Sequence, residues 1–425
     1  MSTKISRRRF LLGAGIAAGA VGLPWIKPGD EGASGHEDYF LRISNALKEH
    51  VLGRPAIVVD KARLIENVDV IRRHLENRFQ FRIVAKSLPS IPLIKEVMDR
   101  AETNKLMVFH LPFLTAVAQQ IPNADVLMGK PMPMNAVRTF YRLAPSSGFD
   151  ASKQLQWLVD NPVRMKQYAQ LGEELQQSLL INIELDVGLH RGGVKADDEL
   201  ISMLNTIEQS PWLSLSGFMG YEPHIGKVPG DPLTHRDMAM SLYEHYLRTA
   251  ELHLGRDLRH LTLNGAGSPT YQFYNEGAWP MNELSAGSCL VKPSDFDLDT
   301  LQDHQAAAFI ATPVIKALPS TDIPGVSGLG QAMALWDPNL QQTFFTYGGY
   351  WKANPISPKG LRLNPVYGRS SNQEMLNGSA RMNLQQDDFV FLRPTQSESV
   401  LLQFGDLLVY EEGSITSSWP VIAQG

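Results

Sequence analysis

Between about residues 55 and 290, short apolar runs of strand length alternate with longer amphipathic stretches, a pattern that predicts the βα units of a parallel sheet. The runs that read as strands are Phe81–Ala85, Met107–Phe109, Val126–Met128, about Gly148–Ala151, Leu179–Leu185, Ser214–Gly220, Leu261–Asn264 and Glu283–Ala286. Between them, segments such as Ile91–Arg100 and Met238–Leu254 carry apolar residues at helical spacing, as crossover helices require. Eight such units predict an α/β fold, a TIM (β/α)8 barrel. Beyond residue 300 the pattern changes to β-branched and aromatic runs set apart by Pro, Gly and Asn, as in Thr343–Tyr350, Asp388–Leu392 and Asp406–Tyr410. That change predicts a C-terminal β domain. The expected organisation is a barrel over residues 51–298 and a β domain over 299–425, to which residues 36–50 could add.

Residues 1–35 read differently. Ser6-Arg7-Arg8-Arg9-Phe10-Leu11-Leu12 precedes a Gly/Ala-rich apolar stretch to Ile26, which predicts a twin-arginine export signal followed by a tether. Ala18-Gly19-Ala20 is a candidate cleavage site. The expected location is the periplasm, with membrane tethering if the signal is kept. That route carries folded proteins, which directs attention to a cofactor loaded before export. Downstream, no apolar run approaches the roughly 20 residues needed to span a bilayer. The chain of 425 residues has a net charge of -5 with mixed signs, and so no basic stripe suited to nucleic acid. A small molecule is the expected partner. Cys289 stands alone, which excludes an intramolecular disulfide and a cysteine-based metal cluster.

In a barrel, the residues that end each strand face the catalytic mouth. Lys86 ends the first apolar run, where its amine can form a Schiff base. Asn264-Gly265-Ala266-Gly267-Ser268-Pro269-Thr270 follows the seventh; small residues there let backbone N–H groups approach an anion. The fifth run leads into Asp186-Val187-Gly188-Leu189-His190-Arg191-Gly192-Gly193-Val194, and the sixth into Tyr221-Glu222-Pro223-His224. Arg191 suits bidentate pairing with a substrate carboxylate or a cofactor oxygen, while Tyr221 and His224 suit stacking on or hydrogen bonding to a flat heteroaromatic ring.

Lys86, DVGLHRGGV at 186–194, GYEPH at 220–224, NGAGSPTY at 264–271 and NELSAGS at 282–288 occur in the order seen in fold-type III pyridoxal-phosphate enzymes. The chain resembles the superfamily of alanine racemase, D-threonine aldolase and D-serine dehydratase over most of residues 50–300. The resemblance implies pyridoxal 5'-phosphate as cofactor and Lys86 as its Schiff-base lysine. It makes the run Gly265, Ala266, Gly267 and Ser268 the phosphate cradle, with Asn264 beside it among the cofactor-binding residues and Arg191, Tyr221 and His224 around the ring and substrate. It also implies a homodimer.

Two departures shape the functional expectation. The aldolase and dehydratase branch implies a C-terminal His-x-Cys or His-x-Asp metal pair, yet the last histidine is His304 and the corresponding stretch reads Ser414-Ile415-Thr416-Ser417-Ser418. No metal is therefore expected. TYGGYWKA and YGRSSNQEM at 367–375 instead resemble the racemase branch, which makes Tyr350, with Tyr347 as alternate, the candidate second acid/base group. Ser285 stands where that branch has an arginine facing the pyridine nitrogen. The expectation is an exported racemase or epimerase acting at Cα of small amino acids, with Lys86 and Tyr350 as opposed catalytic groups. The alternatives are a D-threonine aldolase-like or D-serine dehydratase-like lyase and a pyridoxal-phosphate-binding protein without turnover.

Overall fold

The computed structural model describes residues 27–76, 78–143 and 148–424. The expected export signal and its cleavage site lie outside the described residues. Strand β1 (Ala56–Asp60) comes first, and eight parallel strands then close into a barrel. They are β2 (Gln80–Val84), β3 (Lys105–Val108), β4 (Asp125–Met128), β5 (Leu155–Val159), β6 (Leu179–Leu185), β7 (Leu213–Gly220), β8 (Thr262–Gly265) and β9 (Glu283–Ala286), with β2 paired to β9. The crossover helices start where the sequence supplies a cap. Asn161 accepts the Arg164 N–H ahead of Pro162, and Asp231 accepts that of Thr234 ahead of Pro232. The helix Pro232–Leu254 ends on Gly255 at φ 64°, a left-handed position that glycine adopts without strain.

Two expectations about strands need correction. The fourth barrel strand is Leu155–Val159, not Gly148–Ala151. Asp150 there caps a short helix, Ala151–Gln154, its carboxylate accepting the Ser152 N–H at 3.0 Å, so the local hydrogen bond competes successfully with extension. The second correction concerns β1, which falls in the stretch expected to form the barrel but belongs to the other sheet, antiparallel to β10 (Ala308–Leu318) and parallel to a later strand.

That second sheet also contains β11 (Gln342–Thr346), β12 (Ala353–Ser357), β13 (Arg362–Leu363), β14 (Met375–Gly378), β15 (Phe389–Pro394), β16 (Leu407–Glu411) and β17 (Ser414–Trp419). Its order is β13-β14-β11-β10-β1-β16-β17, with β15 pairing β10 and β12. Alternation along β1 shows why this strand is buried on both faces. Ala56 and Val58 pack with Ile43, Ala46 and Leu47 of the helix Asp38–Glu49, whereas Ile57 and Val59 join the large core shared with the barrel. The sheet is thus anchored to the barrel by one of its interior strands, and this fixes the loop between β15 and β16 over the barrel mouth.

Candidate active site

The C-terminal ends of the barrel strands open onto a cavity of about 690 Å³, its solvent-filled mouth included. Lys86 follows β2 on a tight turn, Ala85–Ser87, and its side chain enters this cavity. Its Nζ lies 3.1 Å from the Glu398 carboxylate and 5.0 Å from the centre of the Phe109 ring. Glu398 comes from the loop between β15 and β16, so one wall of the site is supplied by the second sheet. The Arg191 guanidinium sits 5.1 Å from the centre of the Tyr221 ring, and both line the cavity. Burial, and then the neighbouring Glu222, push the Tyr221 hydroxyl up to about 12. It therefore stays protonated at neutral pH, with a proton to offer to a bound group.

Strand β8 contributes Asn264 to the lining, and the loop after it contributes Ala266, Gly267 and Ser268. The loop turns at Ala266, held at φ 61°, a left-handed conformation that costs a non-glycine residue energy. Glu222, fully buried, holds this turn from behind. Its carboxylate accepts the Ala266 N–H at 3.1 Å and the Thr270 hydroxyl at 2.7 Å, and Thr270 Oγ1 in turn accepts the Gly267 N–H at 3.0 Å. Burial raises the Glu222 carboxyl from 4.5 to about 7. A carboxyl that holds its proton more tightly when folded favours the folded state at low pH, and that contribution is lost as pH rises from about 4.5 to about 7. Glu222→Gln should flatten this part of the pH–stability curve, which urea unfolding of both proteins across pH 4.5 to 7 would measure. An unchanged difference between the two proteins at every pH would exclude the titration of Glu222 as its source.

Ser268 Oγ accepts the N–H groups of Gly287 (3.0 Å) and Cys289 (3.2 Å), and Ser87 Oγ meets Ser288 Oγ at 2.9 Å. These contacts draw three loops together around small residues. A Cβ on Gly287 would stand 2.5 Å from the Val84 carbonyl oxygen, a backbone atom that cannot turn aside. Gly287→Ala is therefore expected to push the β9 loop away from β2 and weaken cofactor retention about tenfold or more, as dialysis against cofactor-free buffer would reveal. Retention equal to the wild type would show that this loop does not shape the site.

The cavity floor is a polar ladder. Asn264 Nδ2 donates to Ser285 Oγ and to Glu283 Oε1, both at 2.8 Å, and Glu283 is ion-paired with the fully buried Arg82. The loop carrying Arg191 is tied down by Asp186, whose carboxylate accepts N–H groups of Gly188 (3.0 Å) and His190 (2.9 Å).

The structure thus brings together in one cavity Lys86, Arg191, Tyr221, Asn264, Ala266, Gly267 and Ser268. It does not place the remaining candidates in that lining. His224 packs against Gly188, where a Cβ would stand 3.1 Å from its Nε2, rather than over the cavity. Gly265 is turned toward Met281, whose Sδ would be 1.9 Å from a Cβ there. Tyr350 is 65% exposed at φ 58°, with Tyr347 also exposed, both on the second sheet's side. Ser414–Ser418 form β17, hydrogen-bonded to β16 and outside the lining, and His304 is buried against the Tyr271 hydroxyl at 2.7 Å. Among the described residues no three His, Cys, Asp or Glu side chains gather as a metal site. Glu398 and Glu222 were not singled out from the sequence. Glu222 lies inside the quoted GYEPH run, whereas nothing local marks Glu398.

Pyridoxal phosphate fits the residues present. The cavity offers one lysine amine for a carbonyl carbon, serine hydroxyls at 268 and 288 for phosphate oxygens, an arginine for a carboxylate, and the flat Tyr221 ring. The comparisons agree. The family model for the alanine racemase N-terminal domain matches residues 59–295. Among solved structures, D-threonine aldolase from Filomicrobium marinum superposes with a TM-score of 0.69 at 15% identity, covering 88% of this chain and 98% of that one. Alanine racemase from Bacillus anthracis, with bound L-Ala-P, gives 0.67 at 13% identity over 87% and 98%. D-threo-3-hydroxyaspartate dehydratase from Delftia sp. HT23 gives 0.64 at 16% identity over 88% and 98%. At these identities the likeness is one of fold. No curated protein matches the chain. Since the family match spans more than half of the sequence and the barrel-plus-sheet architecture is shared, the chain belongs to the alanine racemase N-terminal domain family, the fold-type III enzymes that work with pyridoxal 5'-phosphate.

Proposed function

We propose that the protein is an exported racemase or epimerase acting at Cα of small amino acids. The observation that carries this reading is Lys86 in a strand-end cavity that also holds Arg191, Tyr221 and the Ser268 loop. Pyridoxal phosphate, when bound, supplies an electron sink for negative charge at Cα. Lys86 Nζ holds the cofactor and moves the Cα proton on one face. Arg191 orients the substrate carboxylate by its planar fork. The hydroxyls of Ser268 and Ser288 receive the phosphate, and Asn264 with Ser285 closes the floor. Ser285 offers a neutral hydroxyl where the racemase branch carries an arginine.

A racemase needs a second proton carrier on the opposite face, and Tyr350 is the candidate. It lies outside its own chain's cavity and is largely exposed, so in this reading it serves the cavity of a second copy, making the functional unit a homodimer. Its backbone is held ready by the Glu374 carboxylate, which accepts the Tyr350 N–H at 2.5 Å and pairs with Arg369 at 2.8 Å.

The test is incubation of the loaded protein with single L- and D-amino acids in deuterated water, followed by chiral analysis. Deuterium at Cα with both enantiomers recovered supports racemisation. Glycine plus an aldehyde would replace it with aldol cleavage, an oxo acid plus ammonia with dehydration, and no turnover of any amino acid with a binding role. Tyr350→Phe is expected to lower racemisation by on the order of 10² to 10⁴, with cofactor binding retained. Export by the twin-arginine route is part of the proposal, and Arg7→Lys with Arg8→Lys should leave the protein in the cytoplasm on cell fractionation.

A further inference from the structure

We propose that Glu398 forms a cation subsite at the cavity mouth, so that the preferred substrates are amino acids whose side chain ends in a positive charge. This rests on reading the cavity as an amino-acid site. Among the described lining residues Glu398 is the one acid, and it shares the cavity with two cations, Lys86 and Arg191. The three charges divide by chemistry. Arg191 has the planar fork that suits an α-carboxylate. Lys86 has the nitrogen that holds the cofactor and takes the Cα proton, and an amine that is to take a proton does not at that stage carry the charge and the three N–H donors of an ammonium group. The Glu398 carboxylate, 3.1 Å from that nitrogen, then keeps lone pairs for which the lining supplies no ammonium donor.

Glu398 cannot easily withdraw. Its neighbours Ser397, Val400 and Leu401 are buried, the Leu401 N–H bonds to the Ser397 carbonyl at 3.0 Å, and Thr395 is stitched to Lys352 (2.8 Å) and Asp295 (3.1 Å). The loop that presents the carboxylate is thereby fixed both to the second sheet and to the barrel's last turn. The side chain is 32% exposed, which places it between the enclosed groups and solvent, where an extended substrate side chain emerges. A carboxylate fixed there attracts a terminal ammonium or guanidinium and repels an aspartate or glutamate side chain.

The experiment measures equilibrium binding to the cofactor-loaded full chain by calorimetry, using α-methyl amino acids, which lack the Cα proton and so cannot be racemised. The probes are α-methylornithine, 2-aminoisobutyrate and α-methylaspartate. The expected result is about tenfold tighter binding of α-methylornithine than of 2-aminoisobutyrate, with α-methylaspartate weakest. In Glu398→Gln, which keeps the shape without the charge, the preference should shrink to about twofold or less. Equal binding of the first two probes to the wild type, or a preference that survives in Glu398→Gln, overturns the subsite while leaving the amino-acid reading intact. Failure of all three probes to bind overturns both.

Discussion

Replacing Lys86 by alanine is expected to remove the visible absorbance that pyridoxal phosphate shows when joined to a lysine amine and to abolish turnover. The loss should be on the order of 10² to 10⁴ or more, because the same nitrogen holds the cofactor and carries a proton. Little of this would come from unfolding. Lys86 has a side chain 42% exposed and pairs with the 32% exposed Glu398, and ion pairs of that kind contribute little to stability. Lys86→Arg separates charge from chemistry. The arginine preserves a cation beside Glu398, yet its guanidinium is a poor nucleophile and does not deprotonate. Both variants should therefore lose the absorbance band while keeping the unfolding midpoint near that of the wild type. Persistence of the band in Lys86→Ala would move the attachment site to another amine. Lys105 is ion-paired with Asp125 and Glu283 in the barrel interior, and Lys292 donates to the carbonyls of Leu301 and His304, so neither is prepared to replace it.

How much of this was legible depends on whether a feature is local. Leu179–Leu185 and Glu283–Ala286 have in the structure the bounds that their apolar runs predict, since each is a compact run buried along almost all of its length. The fourth strand is hard to place from its pattern because Leu155–Val159 follows without a break on the helix that Asp150 caps, and its Gln156 looks polar. That glutamine is buried in the barrel, where its amide donates to Thr262 Oγ1 at 3.0 Å, a partner over a hundred positions away. The apolar run at β1 carries no mark of which sheet it joins, because its partners, β10 and β16, lie some 250 and 350 residues downstream.

The site follows the same division. Lys86, Arg191, Tyr221 and the Gly-rich loop end strands and were legible by position, as barrel geometry sends strand ends to one face. His224 shares that position yet turns toward Gly188, since a loop fixes its backbone course and not its side-chain direction. Glu398 was invisible because it reaches the barrel mouth only through the docking of the second sheet. The carboxylate that faces the lysine is thus a product of tertiary assembly, whereas the lysine is a product of local sequence.

The deepest group beneath the site supports the other large effect. Glu283→Ala should destabilise the protein by about 3–5 kcal/mol, the usual cost of stripping one partner from a buried ion pair. Arg82 has no exposed surface, and its guanidinium donates to Glu283 Oε2 (2.9 Å), to Asp125 Oδ1 (3.0 Å) and to the carbonyls of Leu106 (3.0 Å) and Asp125 (2.8 Å). Without Glu283 the charge would rest on Asp125, which is partly exposed and already shared with Lys105 at 2.9 Å. Asn264 would lose one of its two acceptors at the same time, so the Asn264–Ser285 contact beneath the cavity would loosen and cofactor retention would fall with stability. Glu283→Gln separates the two roles. Its amide oxygen still accepts from Asn264 but supplies no charge to Arg82, so most of the stability loss should remain while the cavity floor recovers. Urea unfolding of the first cooperative transition and cofactor retention on dialysis would measure the two effects independently. A cost below about 1 kcal/mol for Glu283→Ala would mean that Asp125 and the two carbonyls suffice to hold a buried guanidinium, contrary to the usual penalty for an uncompensated buried charge.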